Sequence, residues 1–504
     1  MRTPGFVLAT VLVLAGAAPL AAQSGATLTI SQPADATTMD PGRSTQVLTV
    51  NYFVNLYDTL TRWDQSLKLV PGLATAWRSV NDTTWEFTLR SGVKFHDGTP
   101  LTAEDVKAVL ERNLIAGKTV VQAGFATIEA VQITSPTTIR LVTKKPDPLI
   151  PVRMAQMGSQ IYPARLASDD GVKELARKPV GSGAYRFVEW VKDDRLVMEA
   201  NRDWWGWGGK PPAFDRVVWK PIPDDFARLS ALQRNEVDVI TNVPPDQMKI
   251  VRTVTVPSSR YVALQPNATQ PPLSDKRVRQ ALHYAMDINS IVKNLYAGQG
   301  KPFSGGLADT DFGYNPALKP YPYDPERAKK LLAEAGHPNG IDVTMYAGSG
   351  TMVNDKQLLE VIADMWSKVG IRARVEMMEM AQRQKMLNER ATPPNGMLLV
   401  NPQSTLLDAD GVLWRIMHPN GFSGKYWIGS QPGQRFHDLM EQARYTLDPK
   451  KRKEIYTEAT RLVHEEKPFV ELFQEVVIYG VGTRVALKPR ADYRLIVSEM
   501  TVAR

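Results

Sequence analysis

Two aspartates stand just ahead of Trp414 and Arg415 in the stretch NPQSTLLDADGVLWRIMHP, residues 401–419. Paired carboxylates can act as general acid and general base, so Asp408 and Asp410 could serve an exported hydrolase. The same residues also suit the start of a helix. D-A-D-G before V-L-W sets both carboxylates at the positive end of the helix dipole, where each contributes about 0.3–1 kcal/mol. The helix-start reading is the stronger of the two. Aromatic side chains form the second group. Trp204, Trp205 and Trp207 crowd into NRDWWGWGGKPP, a pattern that fits packing between sub-domains. Trp414, Phe422, Tyr426 and Trp427 follow the aspartate pair, and flat side chains of this kind suit the faces of organic ligands.

The other signatures of catalysis are missing. The chain contains no G-x-S-x-G, no phosphate-binding G-x-x-x-x-G-K-[ST] and no H-E-x-x-H. Its histidines are His96, His283, His337, His418, His437 and His464, and no two lie three or four residues apart, so no single helix offers a histidine pair to a metal. Neither a metal nor another cofactor is expected. GSGAYRF, residues 181–187, lacks the dinucleotide-binding spacing and reads as a tight turn entering a strand. There is no cysteine, so packing rather than disulfides must hold the fold. The formal charge of +8 comes from dispersed residues, and the longest basic run, Lys450 to Lys453, falls on an expected helix as a solvated face. Nucleic-acid binding is therefore not expected, whereas a mild attraction for anionic ligands or an acidic membrane surface is.

These residues need elements to position them. A chain of 504 residues is too long for one core and implies two or three domains. Arg2 followed by the apolar run FVLATVLVLAGAAPLAA reads as a signal peptide over residues 1–22, cleaved near Ala22. Without cysteine at that point the mature protein is expected not to be a lipoprotein and to diffuse freely after export. Beyond it, LTISQ is a strand. Residues 65–190 are rich in strands and turns, among them TWEFTLRSGVKF, ATIEAVQIT and TTIRLVT, with a helix capped by Thr102 and Asp105. RVVWKPIP, a helix opened by Asp224 and Asp225, and EVDVITNV make a β-α-β unit. Residues 340–400 alternate strand and helix as β-α-β-α-β, preceded by a helix capped at Asp324. A long helix from Asp448, the strand ELFQEVVIYGVG and a last short strand RLIV close the chain. Two α/β units place a cleft at their boundary, facing the carboxyl ends of the strands, and the loop from Asn401 to Thr405 lies there.

Several stretches resemble the family 5 extracytoplasmic solute-binding proteins of ABC importers. They are PGLATAW with WEFTLRSGVKFHDGTPLTAEDV, PVGSGAYRFVEW with NRDWWGWGGKPP, RLSALQRNEVDVITNVPPDQ, VRQALHYAMDINSIV, YPYDPERAKKLLAEAGHPNG and RKEIYTEATRLVHEEKPFVELF. They come in the family's order across nearly the whole chain after the leader. The resemblance implies an α/β, two-lobed periplasmic-binding-protein fold, a Venus flytrap, with an extra strand-rich sub-domain on lobe one. Lobe one would span 23–260 with the sub-domain at 65–190. Lobe two would span 261–479, and 480–504 would return to lobe one. Hinges would fall near Val256 to Ala263 and Gln474 to Gly482. A monomer of this kind captures a small-molecule or short peptide-like ligand and delivers it to an ABC permease in the inner membrane. Peptide-binding members carry an aspartate where this chain has Thr405, and an aromatic where it has Gln403. Both departures point away from a free amine held at that spot. The expected ligand contacts are Gln403, Ser404 and Thr405 from lobe two, Ser159 and Gln160 from the sub-domain and Asn51 from lobe one, followed by Asp408 and Trp414. A periplasmic chaperone is a further alternative, distinguished by broad binding of unfolded chains.

Overall fold

A computed structural model describes residues 26–421, 424–427 and 430–503. The signal peptide expected over residues 1–22, and Phe422, lie outside the described residues. One eleven-stranded sheet runs through the molecule. From edge to edge its order is Ile371–Met378, Ile341–Gly348, Gly396–Val400, Thr253–Pro266, Val470–Val481, Val239–Ile240, Thr27–Gln32, Arg216–Pro221, Arg195–Ala200 and Tyr185–Val191, with Gly300–Pro302 added beside Val470–Val481. At each end lies a parallel set. Ile341–Gly348 runs parallel to both its neighbours, and Thr27–Gln32 does the same at the other end. Between the sets, Thr253–Pro266 and Val470–Val481 pair antiparallel and pass from one lobe to the other. Their register breaks between Pro257 and Tyr261, as at a β-bulge, where the ladder is interrupted and the strand bends.

Separate hydrophobic cores lie on either side of that break. In lobe one, Leu28, Ile30, Val217, Trp219, Val477 and Tyr479 belong to one cluster. On the opposite sheet face, helix Asp225–Gln233 packs Leu229 and Leu232 against Ile240 and Ile478. Lobe two is likewise layered. Helices Lys276–Tyr284, Ile288–Leu295 and Asp355–Ser367 cover one face of its strands. Helices Gln431–Arg444 and Pro449–Glu466 cover the other. Crossover helices on both faces are what parallel strands require.

Lobe one carries a four-stranded antiparallel sheet, in the order Ala74–Asn81, Thr84–Leu89, Thr138–Thr143, Ile128–Ser135. Helix Ala103–Leu114 packs Val106, Val109 and Leu110 against it, and its capping box joins Thr102 to Asp105 at 2.8 Å. Tyr185–Val191, inside the range 65–190, is an edge strand of the large sheet instead. The tryptophan cluster packs on lobe one, where Trp204 and Trp205 both donate their indole N–H to Asp58, at 3.1 and 3.0 Å. Burial pushes that carboxyl up to about 6.

Three expectations need correction. RLIV forms no strand, and the final pairing is Val485–Ala486 with Thr501–Val502. EVDVITNV contributes only the two residues Val239–Ile240 to the sheet. Within the basic run, Arg452 is buried rather than solvated, because it pairs with Asp408 across lobe two.

Candidate ligand-binding cleft

The parallel strands of both lobes point their carboxyl ends at the gap between the lobes. On one side of the crossing strands the gap opens into a cavity of about 510 Å³. Lobe one lines it with Asp225, Asn242, Val243 and Pro245, from the loops that follow Pro221 and Ile240. Lobe two contributes residues 350–354, Asn401, Tyr296 and Gln299. Phe473, Glu475 and residues 476–478 of one crossing strand, with Arg260 of the other and Tyr493, make the floor. Cavities of this size hold small organic ligands. Its polar rim is partly fixed from behind: Asn401 Nδ2 donates to Thr351 O at 3.1 Å, and Asn354 Nδ2 to Leu295 O at 3.1 Å.

The other end of the gap is nearly shut. Val47, Val50, Trp63, Met157, Gln403, Ser404, Thr405, Leu407, Asp492 and Arg494 surround only about 30 Å³, room for about one or two waters. Leu407 of lobe two packs on Trp63 and Ala155 of lobe one. Beside this apolar plug Arg153 of lobe one lies 3.8 Å from the Asp410 carboxylate of lobe two, and both side chains are buried. Arg153 also pairs with Asp147 at 3.0 Å, and Arg444 approaches Asp410 at 3.6 Å. Burial pushes the Asp410 carboxyl above its ordinary range. Lys145 over the Tyr445 ring, at 4.9 Å, adds another contact between the lobes.

The loop from Asn401 to Ser404 is strapped to a crossing strand. Tyr261 N–H donates to Pro402 O at 3.2 Å and Ser404 N–H to Ser259 O at 3.0 Å. Gln403 accepts from Arg260 Nη2 at 3.1 Å through its side chain and from Arg415 at 3.1 Å through its carbonyl. Gln403, Ser404 and Thr405 therefore meet at the narrow end, as a group. Ser404 is only 4% exposed.

The remaining expected contacts line neither cavity. Asn51 Oδ1 accepts the Leu495 N–H at 3.0 Å, so this side chain anchors the C-terminal segment to helix Val47–Leu56. Ser159 donates to Gln156 O at 2.6 Å, and Gln160 accepts from Gly158 N–H at 2.8 Å. Asp408 takes two hydrogen bonds from Arg452, at 2.8 and 2.7 Å, and one from Tyr456 at 3.0 Å. Trp414 donates to Glu441 at 2.9 Å and lies under the Arg444 guanidinium at 3.7 Å. The aspartates do sit at a helix start, since Asp408 Oδ1 accepts the Asp410 N–H at 2.9 Å. Neither carboxylate lines either cavity. Among the described residues no group of three acidic, histidine or cysteine side chains is placed to hold a metal ion.

Residues of the large cavity that sequence reasoning passed over include Arg260, Glu475 and Tyr493. Arg260 and Glu475 lie within the segments expected to act as hinges.

The molecule is thus two lobes joined by two crossing strands, with a ligand-sized gap between them. The family model described as bacterial extracellular solute-binding proteins, family 5 Middle, matches residues 68–424, and the chain belongs to that family. It is thus a solute-binding protein of the ABC-importer type. The glutathione-binding protein GsiB of Escherichia coli K12 is 28% identical over 461 residues, covering 88% of each chain. Among solved structures, the substrate-binding protein CtaP of Listeria monocytogenes superposes with a TM-score of 0.86 at 20% identity, over 96% of this chain and 100% of that one. The binding protein DppA of Helicobacter pylori, in complex with the peptide STSA, gives 0.77 at 24% identity, over 95% and 98%.

Proposed function

We propose that this protein is a free periplasmic receptor, exported by a cleaved signal peptide and working as a monomer. In this reading it captures a small polar or peptide-like solute and hands it to an ABC permease without chemical change. The observation that carries the reading is the cavity of about 510 Å³ at the carboxyl ends of both parallel strand sets. Relatives named for glutathione, or solved with short peptides, give the ligand class its support. Among the described residues no helix is long and apolar enough to cross a membrane.

The mechanism is a population shift. A solute touching both lobes favours the closed form only as far as it binds that form better than the open one. The register break between Pro257 and Tyr261 serves as the hinge between the lobes. Gln403, Ser404 and Thr405 then report closure, because they meet lobe one only when the gap shuts.

Native mass spectrometry of freshly purified protein, followed by denaturation, should release a small solute. Small-angle scattering should show contraction when the emptied protein is reloaded with it. Asn401→Trp should weaken binding by about 100-fold, roughly 2.7 kcal/mol, by filling the cavity. Thr405→Trp should block contraction, since the space there cannot take an indole, and leave the melting temperature of the empty protein nearly unchanged. If no solute is released or bound, the reading fails. If Asn401→Trp binds as the unaltered protein does, the cavity is not the site.

A further inference from the structure

We propose that Met380 is an oxidation site: a peroxide converts its thioether to the sulfoxide, and the change loosens the loop of residues 348–354 that forms lobe two's lip of the large cavity. The chain has 18 methionines and no cysteine, so thioethers are the only sulfur an oxidant can meet. An oxidant must reach the sulfur, so exposure decides which thioether reacts first. Among the described residues Met380 is the single exposed methionine, at 41%, and the others are buried or half-buried. It opens helix Met380–Glu389, just beyond strand Ile371–Met378.

The sulfur is part of a brace. Thr351 Oγ1 is within donating distance of two acceptors, Gly348 O at 2.7 Å and Met380 Sδ at 3.7 Å. Met380 Sδ also covers Gly348, where a Cβ would lie 2.6 Å from the sulfur. Ser349 N–H donates to Met378 O at 2.9 Å, which ties the loop to the same strand end. From there the chain enters the cavity wall. Residues 350–354 line the cavity, and Thr351 O accepts Asn401 Nδ2 at 3.1 Å. Met380 thus steadies, from a solvent-exposed position, a loop that also faces the cavity.

The step is a two-electron oxidation. The sulfur lone pair attacks one peroxide oxygen, an S–O bond forms as the O–O bond breaks, and the departing hydroxide takes up the remaining proton as water. A thioether is a weak acceptor, whereas the sulfoxide is polar and its oxygen is fixed to the sulfur. That oxygen competes with Gly348 O for the one Thr351 hydroxyl proton. A sulfur so close to Gly348 leaves no room for an oxygen on that side, so the side chain turns outward and uncovers the turn. Both changes loosen residues 348–351. Any effect on bound solute rests on the cleft reading above, but the loop responds whether or not a solute is present.

The test uses the full-length mature protein with no solute added, exposed to dilute hydrogen peroxide. Peptide mass spectrometry should find Met380 oxidised before the half-buried Met352 and Met386. Amide exchange at Ser349, Gly350 and Thr351 should then quicken by about three- to tenfold, the change that loss of one neutral hydrogen bond brings. Met380→Leu should keep slow exchange after peroxide, while Met386→Leu should respond as the unaltered protein does. Met380→Gln, polar like the sulfoxide, should exchange fast without peroxide. Methionine sulfoxide reductases for both epimers, supplied with dithiothreitol, should restore slow exchange. Faster oxidation of Met352 or Met386 than of Met380, or exchange at residues 349–351 that Met380 oxidation leaves unchanged, overturns the assignment and leaves the cleft reading standing. A protein that binds no solute would sink the cleft reading and leave the loop measurement unaffected.

Discussion

The two ends of the interlobe gap are built from the same loop and behave oppositely. Asn401 opens onto a roomy cavity of mixed polar and apolar lining, whereas Thr405, four residues on, faces about 30 Å³. At the roomy end, side chains are braced from behind and their forward polar atoms stay available. At the shut end, Leu407, Trp63 and Ala155 exclude water, and Arg153 and Asp410 are buried together. Burying a charge pair costs about as much as the attraction returns, so the pair fixes how the lobes register more than it adds affinity. One end recognises and the other aligns.

Substitutions can break this contrast. The largest effect is expected behind the shut end. Asp408→Ala leaves Arg452 buried without its partner and should cost about 3–5 kcal/mol of unfolding free energy in a denaturant titration. A cost below about 1 kcal/mol would mean the loop is not anchored there. Next, Leu407→Ala should weaken closure of the empty protein by about 1–2 kcal/mol, less than a Leu→Ala change in a permanent core, because only the closed form loses packing. Scattering should show a larger open fraction with little change in melting temperature.

The smallest effect is a pH dependence. Burial raises the Asp410 carboxyl in the closed form, with Arg444, Arg153 and Arg452 opposing and Asp408 adding to the rise. The closed form thus holds a proton that an open, hydrated Asp410 releases sooner. Closure is therefore favoured in acid and loses ground as pH rises through the raised value. Asp410→Asn should flatten that slope in scattering measured between about pH 4 and 7. Equal slopes in both proteins would remove Asp410 from the alignment device.

Much of the fold was legible because its periods are local. The strand-helix alternation of residues 340–400 and the caps at Thr102, Asp224 and Asp324 all stand where the sequence puts them. Helix Val47–Leu56 was not legible. Most of its residues are buried, so it lacks the exposed polar face that marks an amphipathic helix. Thr405 and its neighbours were placed at the lobe boundary by the strand–helix alternation, but which end of the gap holds space depends on Trp63 and Ala155, hundreds of residues earlier. Arg452 looked like one cation in a basic run, since nothing local marks its contact with Asp408. Asn51 looked free for a ligand because its partner, Leu495, is 444 residues away.

That last distance has a consequence for synthesis and export. Helix Val47–Leu56 is completed by Asn51 and Asn55 binding the backbone of Leu495 and Val497. Lobe two, on the boundaries expected from the sequence, is by contrast one uninterrupted stretch of chain. The half made first must therefore wait for the final few dozen residues, while the half made second can consolidate alone. Pulse-labelled amide exchange during refolding should register protection around Ile341–Val400 ahead of Val47–Leu56, and a polypeptide halted before Leu495 should keep its leading half soft enough to thread a translocation pore.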